Sequence, residues 1–199
     1  MGILKLAVFA SHGGSNLQSI IDGCKTGVID GEVSVIISNN GDSISLERAQ
    51  KENIPHYHMS SKVFGDEDKL DDAMVDILEQ HSVNLIVLAG YMKMLGPKVL
   101  GKYKGRILNI HPALLPKYGG KGMYGRYVHE AVLKGGEKTT GVTIHLVDEE
   151  YDSGIIINQC EVKVEENDTV ETLASRVLGR EHTFYVETLK MISEGEIKL

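Results

Sequence analysis

Residues 84–90 read NLIVLAG, a run of strand length with almost no polar residue, and it limits the folds open to this chain more than any other stretch. A strand with one face in water alternates polar and apolar positions. A strand without that alternation is covered on both faces, as in a parallel sheet between two layers of helices. Runs of similar length recur at 4–10 (LKLAVFA), 32–39 (EVSVIISN) and 107–111 (ILNIH). After the first two come turn residues and then apolar residues at helical spacing, Leu17, Ile20 and Ile21 in one case, Leu46 and Ala49 in the other. Strand, turn and helix repeated in this way build parallel strands with helical crossovers. With 199 residues, 42% of them hydrophobic and 25% charged, the chain has ample apolar material for one core.

Several classes are excluded at the same stage. No apolar run reaches the roughly 18 residues of a membrane span, and the first apolar stretch is too short for a signal peptide, so a cytoplasmic protein is expected. Cys24 and Cys160 lack the spacing of a metal site and read as two small buried hydrophobes. The net charge of −7 argues against a nucleic-acid surface. A small anion is still compatible with it, because a nest of backbone N–H groups binds phosphate whatever the overall sign.

Residues 11–16 (SHGGSN) join the first strand to its helix, an arrangement that aims free N–H groups and a helix dipole at a bound anion. The same residues also fit an ordinary turn with Ser15 or Asn16 as N-cap. Pro55 launches a short strand at 56–59, where His56 and His58 are expected at exposed or edge positions. Residues 66–81 form an amphipathic helix with Leu70, Met74, Ile77 and Leu78 on one face and its carboxylates in solvent. Residues 91–97 (YMKMLGP) read either as a methionine-rich wall for a flat ligand or as a loop facing the core.

In residues 107–116 (ILNIHPALLP), Asn109 and His111 alternate along a strand and therefore leave the same face. Pro112 and Pro116 lack the N–H that a ladder needs and end the strand, leaving an amide and an imidazole at its carboxyl end. Residues 117–126 carry four glycines and read as a flap. A helix over 127–134 stops at Gly135 and Gly136. Residues 140–147 and 155–164 alternate strongly and are joined by seven residues, which predicts an antiparallel pair. Residues 168–171 (DTVE) read as a capping box opening a final helix to about 192. With no repeat or flexible linker, the chain reads as one continuous domain.

Asn109 donates hydrogen bonds, His111 donates and shuttles a proton, and Asp152 lies in an acidic loop able to return to the same edge. A carboxylate beside an imidazole favours the imidazolium. Such a set suits a developing oxyanion. No Ser or Cys nucleophile and no metal-ligand cluster accompanies it, so the chemistry expected is direct transfer between two bound substrates.

Asn109-Ile110-His111-Pro112 followed by Leu114-Leu115-Pro116, with Asp152-Ser153-Gly154 downstream, resembles the formyltransferase family that uses 10-formyltetrahydrofolate. Ser15-Asn16, Ile37-Ser38-Asn39, Leu88-Ala89-Gly90-Tyr91-Met92 and Arg180-Glu181-His182 follow the family's order, so the resemblance spans essentially the whole chain. It implies an α/β fold: an open, mostly parallel Rossmann-like sheet with helices on both faces, an antiparallel C-terminal strand pair and a long C-terminal helix. It implies one formyltransferase domain over 1–199, with a phosphate-binding mononucleotide half (1–110) and a catalytic and folate-binding half (111–199). The implied co-substrate is 10-formyltetrahydrofolate and the implied acceptor phosphoribosylglycinamide, in purine biosynthesis, with no metal, nucleic acid or membrane and with a monomer or homodimer.

By the same resemblance Asn109, His111 and Asp152 are catalytic, with Asp152 raising the pKa of His111. Gly14, Ser15 and Asn16 hold the ribonucleotide phosphate, and Glu181 contacts the glycinamide substrate. Met92, Lys93, Met94 and Leu95 line the folate pocket together with Asn109. Two positions depart from the family: Lys93 stands where Arg is frequent, and Glu67 is the best match to a further Arg. The alternatives are a 10-formyltetrahydrofolate hydrolase, which carries an additional regulatory domain, a tRNA formyltransferase, which needs a basic C-terminal domain, and a non-catalytic folate- or nucleotide-binding protein.

Overall fold

The computed structural model describes residues 3–199. In chain order the elements are β1 (Leu4–Phe9), α1 (Ser15–Lys25), β2 (Gly31–Ser38), α2 (Ile44–Lys51), β3 (His56–His58), α3 (Ser61–Phe64), α4 (Glu67–Gln80), β4 (Leu85–Leu88), α5 (Pro97–Lys102), β5 (Ile107–His111), α6 (Arg126–Lys134), β6 (Thr139–Leu146), β7 (Ile156–Lys163) and α7 (Val170–Ser193). The strands form one sheet in the order β3-β2-β1-β4-β5-β6-β7. The first five are parallel; β6 runs antiparallel to β5, and β7 to β6. The expected architecture is thus the observed one, and the antiparallel pair extends the sheet beyond β5.

Alternation along each strand divides the interior into two cores. Leu6 and Val8 of β1 and Leu108 and Ile110 of β5 pack with apolar residues of α1, α6 and α7. Ala7 and Phe9 of β1 and Ile107 of β5 face the other way, onto Leu70, Met74 and Leu78 of α4 and Val99 of α5. Asn109 and His111 share the parity of Ile107 and so belong to the α4 and α5 side. At β1 the chain order reverses, since β2 and β3 lie to one side and β4 to β7 on the other. Open α/β sheets bind ligands in the crevice at the carboxyl ends of the strands beside such a reversal. The loops after β1, β4 and β5 therefore meet there.

Local details depart from the sequence reading, each for a physical reason. The N-cap of α1 is Gly14 at φ 63°, rather than Ser15 or Asn16, and no side chain caps that end. The capping box of α7 lies one residue later than expected, between Thr169 and Thr172. Asp168 is occupied elsewhere, in an ion pair with Arg176 and as acceptor from the Glu165 N–H. Two short helices, α3 and α5, form where none was read. Asp71, read as part of a solvated face, is buried and accepts hydrogen bonds from the Lys98 and Val99 N–H groups at 2.7 and 3.2 Å. It caps the first turn of α5 from a neighbouring helix, which no local pattern announces. His56 and His58 lie exposed on the edge strand, as expected. The two cysteines are half-buried rather than buried, and burial pushes the Cys24 thiol up to about 11.

Candidate active site

The site begins with the pairing of β5 to β6, which sets Asn109 opposite His145 and His111 opposite Thr143. Val142 and Ile144 of β6 enter the core on the α7 side, so Thr143 and His145 share the face of Asn109 and His111. His145 donates through Nδ1 to the Leu146 carbonyl at 2.9 Å, which leaves Nε2 to accept from the Asn109 amide at 3.1 Å. The Thr143 hydroxyl donates to the Ala113 carbonyl at 2.6 Å and accepts from the Leu115 N–H at 3.1 Å. This clamp fixes the Pro-bounded turn that leaves β5.

Asp152 comes back to this edge from the β6–β7 loop, a return its place in that acidic loop allowed. Its residue sits at φ 56°, a left-handed conformation uncommon outside glycine and tolerated best by Asn and Asp. One carboxylate oxygen lies 3.6 Å from His111 Nδ1 and accepts from the Gly120 N–H at 2.9 Å; the other lies 3.5 Å from His145 Nε2. The opposite nitrogen of His111, Nε2, donates to the Tyr118 carbonyl at 2.8 Å. His111 is almost wholly buried, and Nδ1 is its nitrogen on the Asp152 side.

Charge in this cluster is set by a contest. Burial lowers the proton affinity of His111 and outweighs Asp152 and the Tyr118 carbonyl, which both raise it, so its pKa lies below the ordinary imidazole value. The expectation that Asp152 raises His111 holds for the contribution of Asp152 and fails for the sum, because the imidazole is enclosed. Asp152 also moves down: burial pushes it up, but His145, His111 and the Gly120 N–H together prevail. The same pair therefore gives opposite balances on its two partners, attraction deciding for the carboxylate and desolvation for the ring.

A cavity opens at this edge. Asn109, His145 and Asp152 form its polar wall, and Leu88, Met94, Leu95 and Val147 contribute apolar surface. A second cavity shares Tyr91, Lys93, Met94 and Leu95 with it and continues past Met59 to Glu67 and Asp68. Of the residues read as a folate wall, Lys93, Met94 and Leu95 line the first cavity. Met92 stands exposed, and its N–H donates to the Ser11 hydroxyl at 2.7 Å. Ser11, which in turn donates to Asn39, ties together the loops that follow β1, β2 and β4.

Across the sheet edge, Asn16 of α1 donates through its amide to Glu181 of α7 at 2.7 Å, and both are buried. Burial holds the Glu181 carboxyl up at about 7 against the lowering effect of Asn16. Gly14 and Ser15 sit at the start of α1, whose first-turn N–H groups have no helical partner. Ser11, His145, Thr143 and Tyr118 were given no individual role in the sequence reading. Thr143 and His145 left a signal, as the polar positions that alternate with Val142 and Ile144 along one strand. Among the described residues no group of three or more His, Cys, Asp or Glu is placed to hold a metal, and no helix is long and apolar enough to cross a membrane.

The comparisons with known proteins agree with this geometry. The formyl transferase family matches residues 4–189. A phosphoribosylglycinamide formyltransferase of Haemophilus influenzae is 40% identical over 195 residues, covering 98% of this chain and 90% of that protein. A chloroplastic phosphoribosylglycinamide formyltransferase of Arabidopsis thaliana is 45% identical over 98% of this chain and 67% of its own length. The crystal structure of glycinamide ribonucleotide transformylase 1 from Symbiobacterium toebii superposes with a TM-score of 0.91 at 38% identity, over 99% of this chain and 91% of that one. With that match running through both halves of the sheet and the Asn109, His111 and Asp152 edge, the chain belongs to the formyl transferase family.

Proposed function

We propose that this chain transfers the formyl group of 10-formyltetrahydrofolate to the amino group of phosphoribosylglycinamide, giving formylglycinamide ribonucleotide and tetrahydrofolate in purine biosynthesis. The observation that carries the reading is the convergence of Asn109 and Asp152 on one cavity at the carboxyl ends of the strands, with His111 enclosed behind them, its Nδ1 3.6 Å from Asp152. Gly14, Ser15 and Asn16 receive the ribonucleotide phosphate on the first-turn N–H groups of α1, and Glu181 meets the same substrate beside Asn16. Lys93, Met94 and Leu95, together with Asn109, hold the folate, with Met92 at the rim. Residues 1–110 act as the phosphate-binding half and 111–199 as the catalytic half of one domain, in the cytoplasm, as a monomer or homodimer and without a metal.

In this mechanism the Asn109 amide donates to the oxygen of the formyl group as negative charge develops there. His111 Nδ1, unprotonated at rest because of burial, takes the proton lost by the attacking amine through water ordered by Asp152. The imidazolium so formed has an acceptor at each nitrogen, the Tyr118 carbonyl and Asp152, and stands close to the new oxyanion. His111 then returns the proton to the departing folate nitrogen, so charge and atoms balance over the step.

A spectrophotometric assay of 10-formyltetrahydrofolate consumption by the purified protein, with and without phosphoribosylglycinamide, tests the reading. Consumption that requires the ribonucleotide is expected. Equal consumption in water alone would replace the transferase by a hydrolase, and folate binding without turnover would replace it by a binding protein.

A further inference from the structure

Tyr118 holds a conformation that its sequence does not explain. It is a non-glycine residue at φ 58°, outside any helix or strand, and such a residue persists only where its surroundings over-determine it. Two sets of contacts do so. Its carbonyl accepts from His111 Nε2 at 2.8 Å. Its ring packs against the larger core, and its hydroxyl donates to Glu137 Oε1 at 2.9 Å, an oxygen that also receives Lys117 Nζ at 2.9 Å.

The hydroxyl reaches Glu137 by passing over Gly135, the C-cap of α6. A Cβ built on Gly135 would collide with that hydroxyl; its other neighbours, the Ala131 carbonyl oxygen at 3.3 Å and Tyr118 Cζ at 3.5 Å, are tolerable. Gly135 itself lies at φ −72°, which any residue adopts, so the backbone does not demand glycine there. The missing side chain at 135 serves the passage of the Tyr118 hydroxyl.

We infer that Tyr118 is a positioning residue for the transfer reaction. Its side chain, anchored between Gly135 and Glu137, holds its carbonyl on His111 Nε2 and thereby leaves Nδ1 as the nitrogen that exchanges the proton. A neutral imidazole carries one ring proton, and its tautomer is set by the nitrogen that has an acceptor within hydrogen-bond reach: the Tyr118 carbonyl lies 2.8 Å from Nε2, whereas Asp152 stands off at 3.6 Å from Nδ1. With the carbonyl in place the proton stays on Nε2, and the lone pair of Nδ1 is turned toward Asp152. Without it both tautomers are populated, and only one is competent. Besides Tyr118, the charged or titratable groups facing His111 are Asp152 from the β6–β7 loop, His145 from β6 and His129 from α6.

This inference rests on the role proposed for His111, and its test separates the two. The ring nitrogens of His111 are observed by 15N NMR of histidine-labelled protein, assigned by their loss in His111→Ala, alongside kcat, KM and the pH profile. In the unaltered chain Nε2 is expected to carry the proton at alkaline pH. Gly135→Ala is expected to mix the tautomers, lower kcat about tenfold with little change in KM, and move the acid limb of the profile to lower pH. The double variant Tyr118→Phe/Gly135→Ala, in which the colliding oxygen is gone, is expected to return to the level of Tyr118→Phe alone.

Glu137→Ala, which removes the anchor without touching the interior, is expected to act in the same direction as Gly135→Ala and serves if that variant fails to fold. An unchanged His111 spectrum and profile in both would overturn the inference, as would faster turnover in Gly135→Ala, which would make the carbonyl a restraint. If His111→Ala kept full activity, the proposed mechanism would fail while the tautomer result stood on its own.

Discussion

Asp152 shows how one side chain is constrained at once by conformation and by charge. Its left-handed backbone favours Asn or Asp, and its carboxylate accepts from the Gly120 N–H while standing 3.6 Å from His111 Nδ1 and 3.5 Å from His145 Nε2. Asp152→Asn keeps the shape and the tolerance for positive φ, so it isolates the charge. Removing the charge takes away the main influence that raises His111. The NMR titration of His111 and the acid limb of kcat/KM are therefore both expected to move to lower pH. An unmoved titration would remove Asp152 from this role. Asn109→Ala is expected to lower kcat by about 10²–10³, the loss typical of one oxyanion donor; a fall of less than about threefold in the same assay would take Asn109 out of contact with the reacting oxygen.

Between elements, the wall proposed for the folate is held by the carboxylate of another helix. Asp71 of α4 fills the space beside Gly96, where any Cβ would collide with it, and caps α5 through two N–H groups. The loop carrying Lys93, Met94 and Leu95 runs directly into that cap. Asp71→Ala leaves buried N–H groups without an acceptor and is expected to cost about 1–3 kcal/mol in denaturant unfolding. It should raise KM for the folate more than it lowers kcat, because the wall moves while the Asn109 and His111 strand does not. A variant with unchanged KM would show that the wall is positioned without α5. At this scale the sequence was legible for elements whose pattern is local, such as β4, α4 and α7. It was silent on α5, six residues long and capped from 27 residues away, since no local pattern contains its cap.

Over the whole molecule, α7 closes the site from the far end of the chain. Glu181 meets Asn16 across 165 residues of sequence, and Tyr185 of the same helix donates to the Leu88 and Leu108 carbonyls of β4 and β5. Folding raises the pKa of Glu181 from 4.5 to about 7. The folded state thus binds a proton there that the unfolded state releases, and the stability it supports declines as pH rises from 4.5 to 7 and is constant above. Glu181→Gln retains an acceptor for Asn16 and never ionises. Relative to it, the unaltered chain is expected to be about 3 kcal/mol less stable at pH 8 and equal near pH 4.5, read from urea unfolding across that range. A gap independent of pH would mean that Glu181 ionises as freely in the folded chain as in the unfolded one.

Periodicity alone determined the alternation of strands and helices, the covered parallel sheet, the antiparallel return and the shared face of Asn109 and His111, because the burial pattern of each element is written within it. The resemblance of residues 107–116 and 152–154 to the family added the proposed catalytic trio. Tertiary structure decided what depends on groups distant in sequence. It brought His145 into the cluster through the register of β5 with β6, turned His111 Nε2 to the Tyr118 carbonyl, paired Asn16 with Glu181 and enclosed the imidazole enough to reverse the sign of its expected shift. Proton affinity depends on the water a fold removes as well as on the charges it brings near, and a linear pattern names the charges without telling how far the chain will bury them.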